Sequence, residues 1–159
     1  MTTAHFTYRA DDESGTERLG QALADLMDEG GVVALDGPLG AGKTRLVQAV
    51  AAASGVDRRD VVSPTFVLMH EYQGRRRIYH LDAYRLRDSD EFLQLGALEF
   101  FGGPDLVLIE WAGRVADCLP SDRIEIAISV LSDKIRQFEI AGIGAPQAAV
   151  VERLRGRLS

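Results

Sequence analysis

The chain has 159 residues, a net charge of −6 and a single cysteine, Cys118. The length fits one domain, predicted to span residues 1–159, and one cysteine excludes a disulfide framework and a cysteine-based zinc site. The acidic balance argues against a surface that binds nucleic acid, DNA included, over its whole extent, because such domains are strongly basic. No apolar run approaches the ~20 residues of a membrane span, and no secretory pattern is visible, so we expect a cytoplasmic protein without a membrane partner.

Apolar spacing along the chain predicts an alternation of strands and helices. The capping box Ser14–Glu17 and the serine at position 89 are expected to begin two of the helices. The elements together predict a three-layer α/β domain with a mixed, mainly parallel sheet and an added antiparallel hairpin. The predicted strands are residues 6–9, 32–36, 105–111, 123–131 and 134–143, with two more within 66–86 around a turn at 73–74, and the predicted helices are residues 14–29, 43–54, 89–101 and 146–158.

Residues 37–44 read GPLGAGKT and match G-x-x-x-x-G-K-T between an apolar strand and a predicted helix. That context favours a phosphate-binding loop over a glycine-rich turn that binds nothing, because bare backbone N–H groups and a helix N-terminus can face phosphate oxygens. Lys43, one of two lysines, would reach the β- and γ-phosphates, and the Thr44 hydroxyl would ligate Mg²⁺. We therefore predict a P-loop NTPase-like fold. The loop residues expected to contact nucleotide are Gly37, Leu39, Gly40, Ala41, Gly42, Lys43, Thr44 and Arg45.

Two acidic residues follow apolar runs and are candidates for the rest of the site. Glu110 ends the run LVLIE, and a Walker-type site needs such a residue to hold the metal or a metal-bound water. Asp82 follows an apolar segment too, with His80 and Tyr84 beside it, although an aspartate there is more often a turn residue. The guanine-reading patterns N-K-x-D and T-K-x-D do not occur, which favours ATP, with Mg²⁺, over GTP.

Four segments together resemble the TsaE (YjeE) family of bacterial ATPases: GPLGAGKT, SPTF at residues 63–66, YHLDAYRL at 79–86 and LIEW at 108–111. The resemblance covers about residues 10–142. It implies an ATPase needed to form N6-threonylcarbamoyladenosine at position 37 of tRNAs that read codons starting with A. It also implies partners, TsaB and TsaD, in a complex where TsaD transfers the threonylcarbamoyl group and this chain meets tRNA only indirectly.

The resemblance also implies a role for individual residues. It matches Lys43 and Glu110 with the phosphate-loop lysine and the glutamate of the Mg²⁺ site. Thr65 corresponds to a residue near the γ-phosphate, and Asp82 to a functional aspartate that positions water or metal. Trp111 corresponds to a tryptophan beside the nucleotide. The implied catalytic residues are therefore Lys43, Thr65, Asp82 and Glu110, with Thr44 and Glu110 as metal ligands.

Two features keep more than one interpretation at this stage. Neighbouring residues of a strand point to opposite faces, so Glu110 and Trp111 can share a site only if the strand has ended. Otherwise Trp111 belongs to the core. The run Arg75–Arg77 is expected at a hairpin tip, as a solvated turn or, alternatively, as a contact to tRNA phosphates or an acidic partner.

The sequence thus predicts an Mg·ATP-hydrolysing accessory subunit with slow intrinsic turnover. It shows no obvious arginine finger, so an arginine from a partner, or Arg85 after rearrangement, would complete the site. A nucleotide-gated binding module whose hydrolysis is incidental would use the same phosphate grip. A kinase built on the same loop is a third possibility, distinguished by phosphate that appears on an acceptor.

Overall fold

The computed structural model describes residues 2–61 and 68–159. The SPTF segment at residues 63–66, and Thr65 with it, lies outside the described residues. The strands are β1 (Thr3–Ala10), β2 (Gly31–Asp36), β3 (Met69–Gln73), β4 (Arg77–Asp82), β5 (Leu106–Glu110), β6 (Arg123–Val130) and β7 (Arg136–Ile143). The α-helices are α1 (Glu13–Leu26), α2 (Lys43–Ala53), α3 (Ser89–Gln94) and α4 (Ala145–Leu158), and short 3₁₀ segments lie at Arg58–Asp60, Ala97–Phe100 and Ala112–Cys118.

The strands of the described chain form one sheet in the order β1-β7-β6-β2-β5-β4-β3. Its centre is parallel, because β2 pairs in parallel with β6 and β5, and β5 in parallel with β4. The outer pairings, β1 with β7, β7 with β6 and β4 with β3, are antiparallel. The mixed sheet with an added hairpin is thus confirmed. The carboxyl ends of β2, β4 and β5 meet at one edge, where open α/β sheets bind ligands.

Helices cover both faces of the sheet, which confirms the three layers. Val33 and Leu35 of β2 point into a core shared with α1, α2 and α4. Val32 and Ala34, the alternate residues, point into a second core with α3 and two of the 3₁₀ segments. Because residues 32–35 of β2 are buried on both sides, this run is apolar without alternation, which is why it was recognisable as a central parallel strand.

Close packing between α1 and α2 holds the helix that follows the phosphate loop. A Cβ atom at position 20 would lie 2.4 Å from the Ala49 Cβ, nearer than two such atoms approach. Gly20 therefore lets the two helix backbones lie against each other. This contact fixes α2, and with it the loop at the N-terminus of α2.

The first helix begins earlier than the Ser14–Glu17 capping box predicts. Asp12 is the N-cap, and its carboxylate accepts a hydrogen bond of 3.2 Å from the Gly15 N–H. Ser14 donates its hydroxyl to Asp12 at 2.6 Å, and Glu17 binds Arg58. The predicted capping box is wrong, because a carboxylate in extended backbone two residues upstream supplies both the acceptor and the negative charge that a helix N-terminus favours.

The helix predicted over residues 89–101 is also shorter than expected. Its cap is Asp88, whose carboxylate accepts from the Glu91 N–H at 3.0 Å, in place of the predicted Ser89. The α-helix ends at Gln94, since Gly96 adopts a φ of 76°, outside the helical region. A separate 3₁₀ segment follows at Ala97–Phe100.

Candidate nucleotide-binding site

The phosphate loop connects the carboxyl end of β2 to the N-terminus of α2, as its sequence predicts. Gly42 is the residue before the helix and has a φ of 110°, a conformation that side chains with a Cβ rarely adopt. Its carbonyl accepts from the Leu46 N–H at 3.0 Å, which begins the helical hydrogen bonding. The first N–H groups of α2 have no partner within the helix, so they are available to an anion at this end.

Lys43 is drawn into the interior of the loop, with 5% of its surface exposed. Its Nζ donates to the Gly37 carbonyl at 2.6 Å and to the Pro38 carbonyl at 3.1 Å, and it lies 3.9 Å from the centre of the Trp111 ring. Burial lowers the pKa of the ammonium below its usual value, and the negative charges of Glu110, Asp36 and Asp82 oppose that shift. The loop therefore holds a cation at the position where phosphates would bind.

Glu110 and Thr44 lie side by side, as the two predicted metal ligands require. The Thr44 hydroxyl is 2.9 Å and 3.0 Å from the two carboxylate oxygens of Glu110, and Glu110 is 3% exposed. If the hydroxyl donates its proton to the carboxylate, its lone pairs remain open to a cation. Hard oxygen donors of this kind suit Mg²⁺, which keeps several waters and takes nucleotide phosphate oxygens as further ligands. The residues present fit that ion.

Asp82 and Trp111 complete the edge of the sheet around Glu110. Asp82 is the register partner of Glu110 across β4 and β5, so the two side chains project from the same face, and its carboxylate also accepts from the Tyr84 N–H at 2.9 Å. Trp111 follows the last residue of β5 and has a φ of 58°. The strand has ended, so Glu110 and Trp111 both line one cavity, and the partly buried Trp111 also packs against the second core.

These residues surround a cavity of about 860 Å³, large enough for a nucleoside triphosphate. Gly37, the first residue of the loop, is not among the residues that line the cavity, and a Cβ there would be 2.8 Å from the Ile128 carbonyl oxygen. Its predicted contact with nucleotide stays a prediction, as does the role of Thr65. The predicted residues that line the cavity are Leu39, Gly40, Ala41, Gly42, Lys43, Thr44, Arg45, Asp82, Glu110 and Trp111.

Two walls of the cavity come from segments that the sequence motifs do not indicate. The N-terminal turn of α1 forms one wall, and Glu13 there binds Arg45 at 2.9 Å. The β6–β7 turn forms the other through Lys134 and Arg136, and the Arg136 guanidinium donates to the Ala41 carbonyl at 3.0 Å. Neither wall could be recognised from local spacing, because the packing of α1 on α2 and the order of the strands bring these residues to the loop.

The sequence places His80 beside Asp82 and predicts no role for it. It is fully buried, and its Nε2 lies 2.6 Å from Glu110 Oε2 while its Nδ1 lies 3.0 Å from the Tyr72 hydroxyl. Strand alternation offered a signal: in the sequence IYHLD, residues 80 and 82 point to one face, and Tyr79 and Leu81 to the other. A histidine two positions before a candidate aspartate therefore lies beneath the same site.

The arginine run at the β3–β4 turn divides into different roles. Arg76 donates to the Ala24 and Met27 carbonyls at the end of α1, so the solvated-turn prediction is wrong for this residue. The carbonyls at a helix C-terminus carry partial negative charge and attract a cation, which explains the inward position of Arg76. Arg75 and Arg77 form partly exposed ion pairs with Asp25 and Glu71. For those two, a contact to tRNA or a partner stays a prediction.

None of the helices in residues 2–61 and 68–159 combines the length and the apolar character needed to cross a bilayer.

Comparison with known proteins identifies the family. Residues 10–138 match the family model described as threonylcarbamoyl adenosine biosynthesis protein TsaE. The tRNA threonylcarbamoyladenosine biosynthesis protein TsaE of Treponema pallidum is 40% identical over 126 residues, which cover 79% of this chain and 93% of that one. The protein of the same description from Bacillus subtilis is 35% identical over 140 residues, 87% of each chain.

A solved structure matches over nearly the whole length. The crystal structure of YdiB from Bacillus subtilis superposes with a TM-score of 0.80 at 27% sequence identity, covering 98% of this chain and 97% of that chain. Sequence and structure thus give the same result as the four motifs. The chain belongs to the TsaE family.

Proposed function

We propose that this chain is an Mg²⁺-dependent ATPase that acts as an accessory subunit in forming N6-threonylcarbamoyladenosine at position 37 of tRNAs reading A-starting codons. The observation that carries the proposal is the meeting of Lys43, Thr44 and Glu110 at the floor of one cavity. Membership of the TsaE family supports the place in tRNA modification. The site of action would be the cytoplasm, where tRNA is modified.

The triphosphate would be held by the loop and its lysine. Incoming phosphate oxygens offer Lys43 a better partner than the Gly37 and Pro38 carbonyls, because the phosphate is negatively charged and the carbonyls are neutral. The N–H groups at the start of α2 would bind the same anion. The lysine need move only within the loop that already holds it.

The metal and the attacking water would be placed by the ends of β4 and β5. Thr44 and Glu110 would hold Mg²⁺, which supplies neutralisation of the charge on the phosphates. Asp82, on the same face as Glu110, would orient the attacking water. Thr65 is proposed to assist there.

Turnover by the isolated chain is expected to be slow. Arg45 is engaged with Glu13, and Arg136 with the Ala41 carbonyl, so both have roles in holding the site together. Arg85 lines the cavity and is exposed, so it could move toward the γ-phosphate, or a partner could supply an arginine. We propose TsaB and TsaD as the partners, with tRNA met through them, since the net charge of −6 disfavours a broad contact with RNA.

The test is release of inorganic phosphate from Mg·ATP by the native chain, Lys43→Ala and Glu110→Ala, each alone and with a TsaB–TsaD pair. The proposal expects slow native turnover that rises with the pair and is lost in both variants. If the pair binds the ATP-loaded chain but turnover stays at the background of the variants, the chain is a nucleotide-gated binding module. Phosphate transferred to an acceptor, with none released, would indicate a kinase.

A further inference from the structure

A chain of hydrogen-bonded side chains runs from the interior of the sheet to the candidate metal site. The Tyr72 hydroxyl lies 3.0 Å from His80 Nδ1, and His80 Nε2 lies 2.6 Å from Glu110 Oε2. The Thr44 hydroxyl lies 2.9 Å and 3.0 Å from the Glu110 oxygens. The function proposed above uses the last two residues and leaves Tyr72 and His80 without a part.

The register of β3, β4 and β5 brings these side chains together, although they come from separate segments of the sequence. His70 pairs with His80 across β3 and β4, and Asp82 pairs with Glu110 across β4 and β5. Residues two apart on a strand share a face, so Tyr72 and His80 lie on the face that carries the site. His80 is one layer below Asp82, directly beneath the cavity floor.

Hydrogen-bond chemistry gives the chain a direction. The carboxylate form that would hold a metal can only accept, so in that form Nε2 of His80 is the donor to Glu110 Oε2. A ring that carries its proton on Nε2 has Nδ1 as an acceptor, to which the Tyr72 hydroxyl can donate. Thr44 binds both carboxylate oxygens, whereas His80 binds Oε2. Oε2 of Glu110 is therefore shared by His80 and Thr44, and Oε1 is contacted by Thr44.

Burial makes this support consequential. His80 is 0% exposed, so the part of Glu110 that it contacts is closed to bulk water, although Glu110 also lines the cavity. Without the imidazole, Oε2 would keep the Thr44 hydroxyl and lose the donor that holds the carboxylate from below. Metal ligands supported in this way lose about 10- to 100-fold in metal affinity when the supporting residue is removed.

We propose that His80, oriented by Tyr72, is a positioning residue that fixes the Glu110 carboxylate for the metal ion bound with the nucleotide. The inference rests on the proposed Mg·ATP function and deepens it. His80 does not contact the nucleotide in this proposal. Replacing His80 should therefore change only the coupling between metal binding and nucleotide binding.

The test compares His80→Leu, which removes the donor, with His80→Gln, whose amide can donate from about the same place. Affinity for the non-hydrolysable analogue adenosine 5′-(β,γ-imido)triphosphate is followed by the fluorescence of Trp111, the only tryptophan of the chain, with Mg²⁺ and with EDTA. The ratio of the two affinities measures the metal coupling, by linkage. We expect His80→Leu to lower this ratio about 10-fold or more while the affinity in EDTA changes less than about twofold, and His80→Gln to restore most of the ratio.

Tyrosine variants test the inference without disturbing the ring of His80. Tyr72→Phe removes only the hydroxyl, and Tyr79→Phe is the matched control, because Tyr79 stacks on Phe100 on the opposite face. We expect the ratio to fall about 2- to 5-fold in Tyr72→Phe, less than the loss for removing the supporting residue itself because the hydroxyl acts only through His80, and to stay unchanged in Tyr79→Phe.

Contrary results are distinguishable. A His80→Leu chain with the native ratio, a parallel loss of affinity with and without Mg²⁺, or equal effects of the two tyrosine changes would overturn the positioning role and leave the proposed function intact. If His80→Leu does not fold, the tyrosine pair decides alone. A native chain that binds no nucleotide with Mg²⁺ would overturn the proposed function itself, and the positioning role with it.

Discussion

Lys43 and Arg76 are two cationic side chains that point into the protein, and the regions around them differ in whether the charge can bind a ligand. Both donate to main-chain carbonyls, Lys43 to those of Gly37 and Pro38 and Arg76 to those of Ala24 and Met27. Burial lowers the pKa of both side chains. The hydrogen bonds alone would not tell the two regions apart.

Their surroundings separate them. Lys43 lies beside a cavity, over an aromatic ring, with the carboxylates of Glu110 and Asp82 at the ends of adjacent parallel strands. Arg76 lies under the end of α1, and the carbonyls it binds belong to the last turn and the C-cap of that helix. A buried cation is thus evidence of a site only where its partners can be exchanged for a ligand. At Arg76 the partners are part of the fold.

The largest effect we expect is that of Lys43→Ala on catalysis. Removing a preorganised charge aimed at the reacting group costs about 10²- to 10³-fold in turnover. The free energy of unfolding should fall little, since the change also removes a buried charge. Phosphate release and urea unfolding on the same preparation measure the two effects. If the loss of turnover were accompanied by a large fall in the free energy of unfolding, Lys43 would stabilise the fold as Arg76 does.

The converse is expected for Arg76→Ala. Loss of two hydrogen bonds from a charged donor to the end of α1 should lower the free energy of unfolding by about 1–3 kcal/mol. Turnover per folded molecule should not change. Arg75→Ala is the matched control, because its exposed pair with Asp25, at 3.7 Å, should contribute no more than about 1 kcal/mol. Equal unfolding curves for the two variants would contradict the anchoring role of Arg76.

A smaller effect should link Lys43 to Trp111. Their cation–π contact at 3.9 Å predicts a coupling of about 0.5–2 kcal/mol in a double-mutant cycle of Lys43→Ala with Trp111→Leu, measured by urea unfolding without nucleotide. The cycle of Arg76→Ala with Trp111→Leu should be additive within about 0.5 kcal/mol. Two additive cycles would show that the ring contributes nothing to holding the lysine.

The smallest expected effect concerns Asp36, at the end of β2. Burial raises the pKa of this carboxyl group above its usual value, although it accepts from the Gly113 N–H at 3.0 Å. The folded state then binds more protons than the unfolded state, so stability is lost as pH rises through the raised pKa. Asp36→Asn keeps an acceptor for Gly113 and should unfold at a higher temperature than the native chain at pH 7, with the difference gone below about pH 4. A lower unfolding temperature at pH 7 would mean that attraction to Lys43 outweighs burial.

The sequence was most informative where the structure depends on local spacing. The phosphate loop, its lysine and threonine, and Glu110 at the end of LVLIE all follow from a strand–loop–helix pattern and an apolar run. The mixed sheet and the β6–β7 hairpin were predictable for the same reason. Asp82 also follows an apolar run, but it lies beside Glu110 only because β4 pairs with β5, which local spacing does not indicate.

Features that depend on contacts between distant segments were not predictable. His80 and Glu110 are thirty residues apart, and only the pairing of β4 with β5 brings them together. Arg76 reaches α1 because the turn between β3 and β4 lies beneath the end of that helix. From sequence alone, the same run of arginines indicates a solvated turn. The predictions of the helix N-caps failed for a different reason. Each predicted serine has an aspartate one or two residues before it, Asp88 or Asp12, and in the structure the aspartate is the N-cap.

The most direct test of the account is the amount of N6-threonylcarbamoyladenosine in tRNA from cells whose only copy of this protein is the native chain, Lys43→Ala, Glu110→Ala or Arg76→Ala, compared at equal levels of folded protein. The account predicts that the modified nucleoside is lost with Lys43→Ala and Glu110→Ala and retained with Arg76→Ala. Retention with Lys43→Ala, or equal loss in all three variants, would contradict the claim that this phosphate site carries the function.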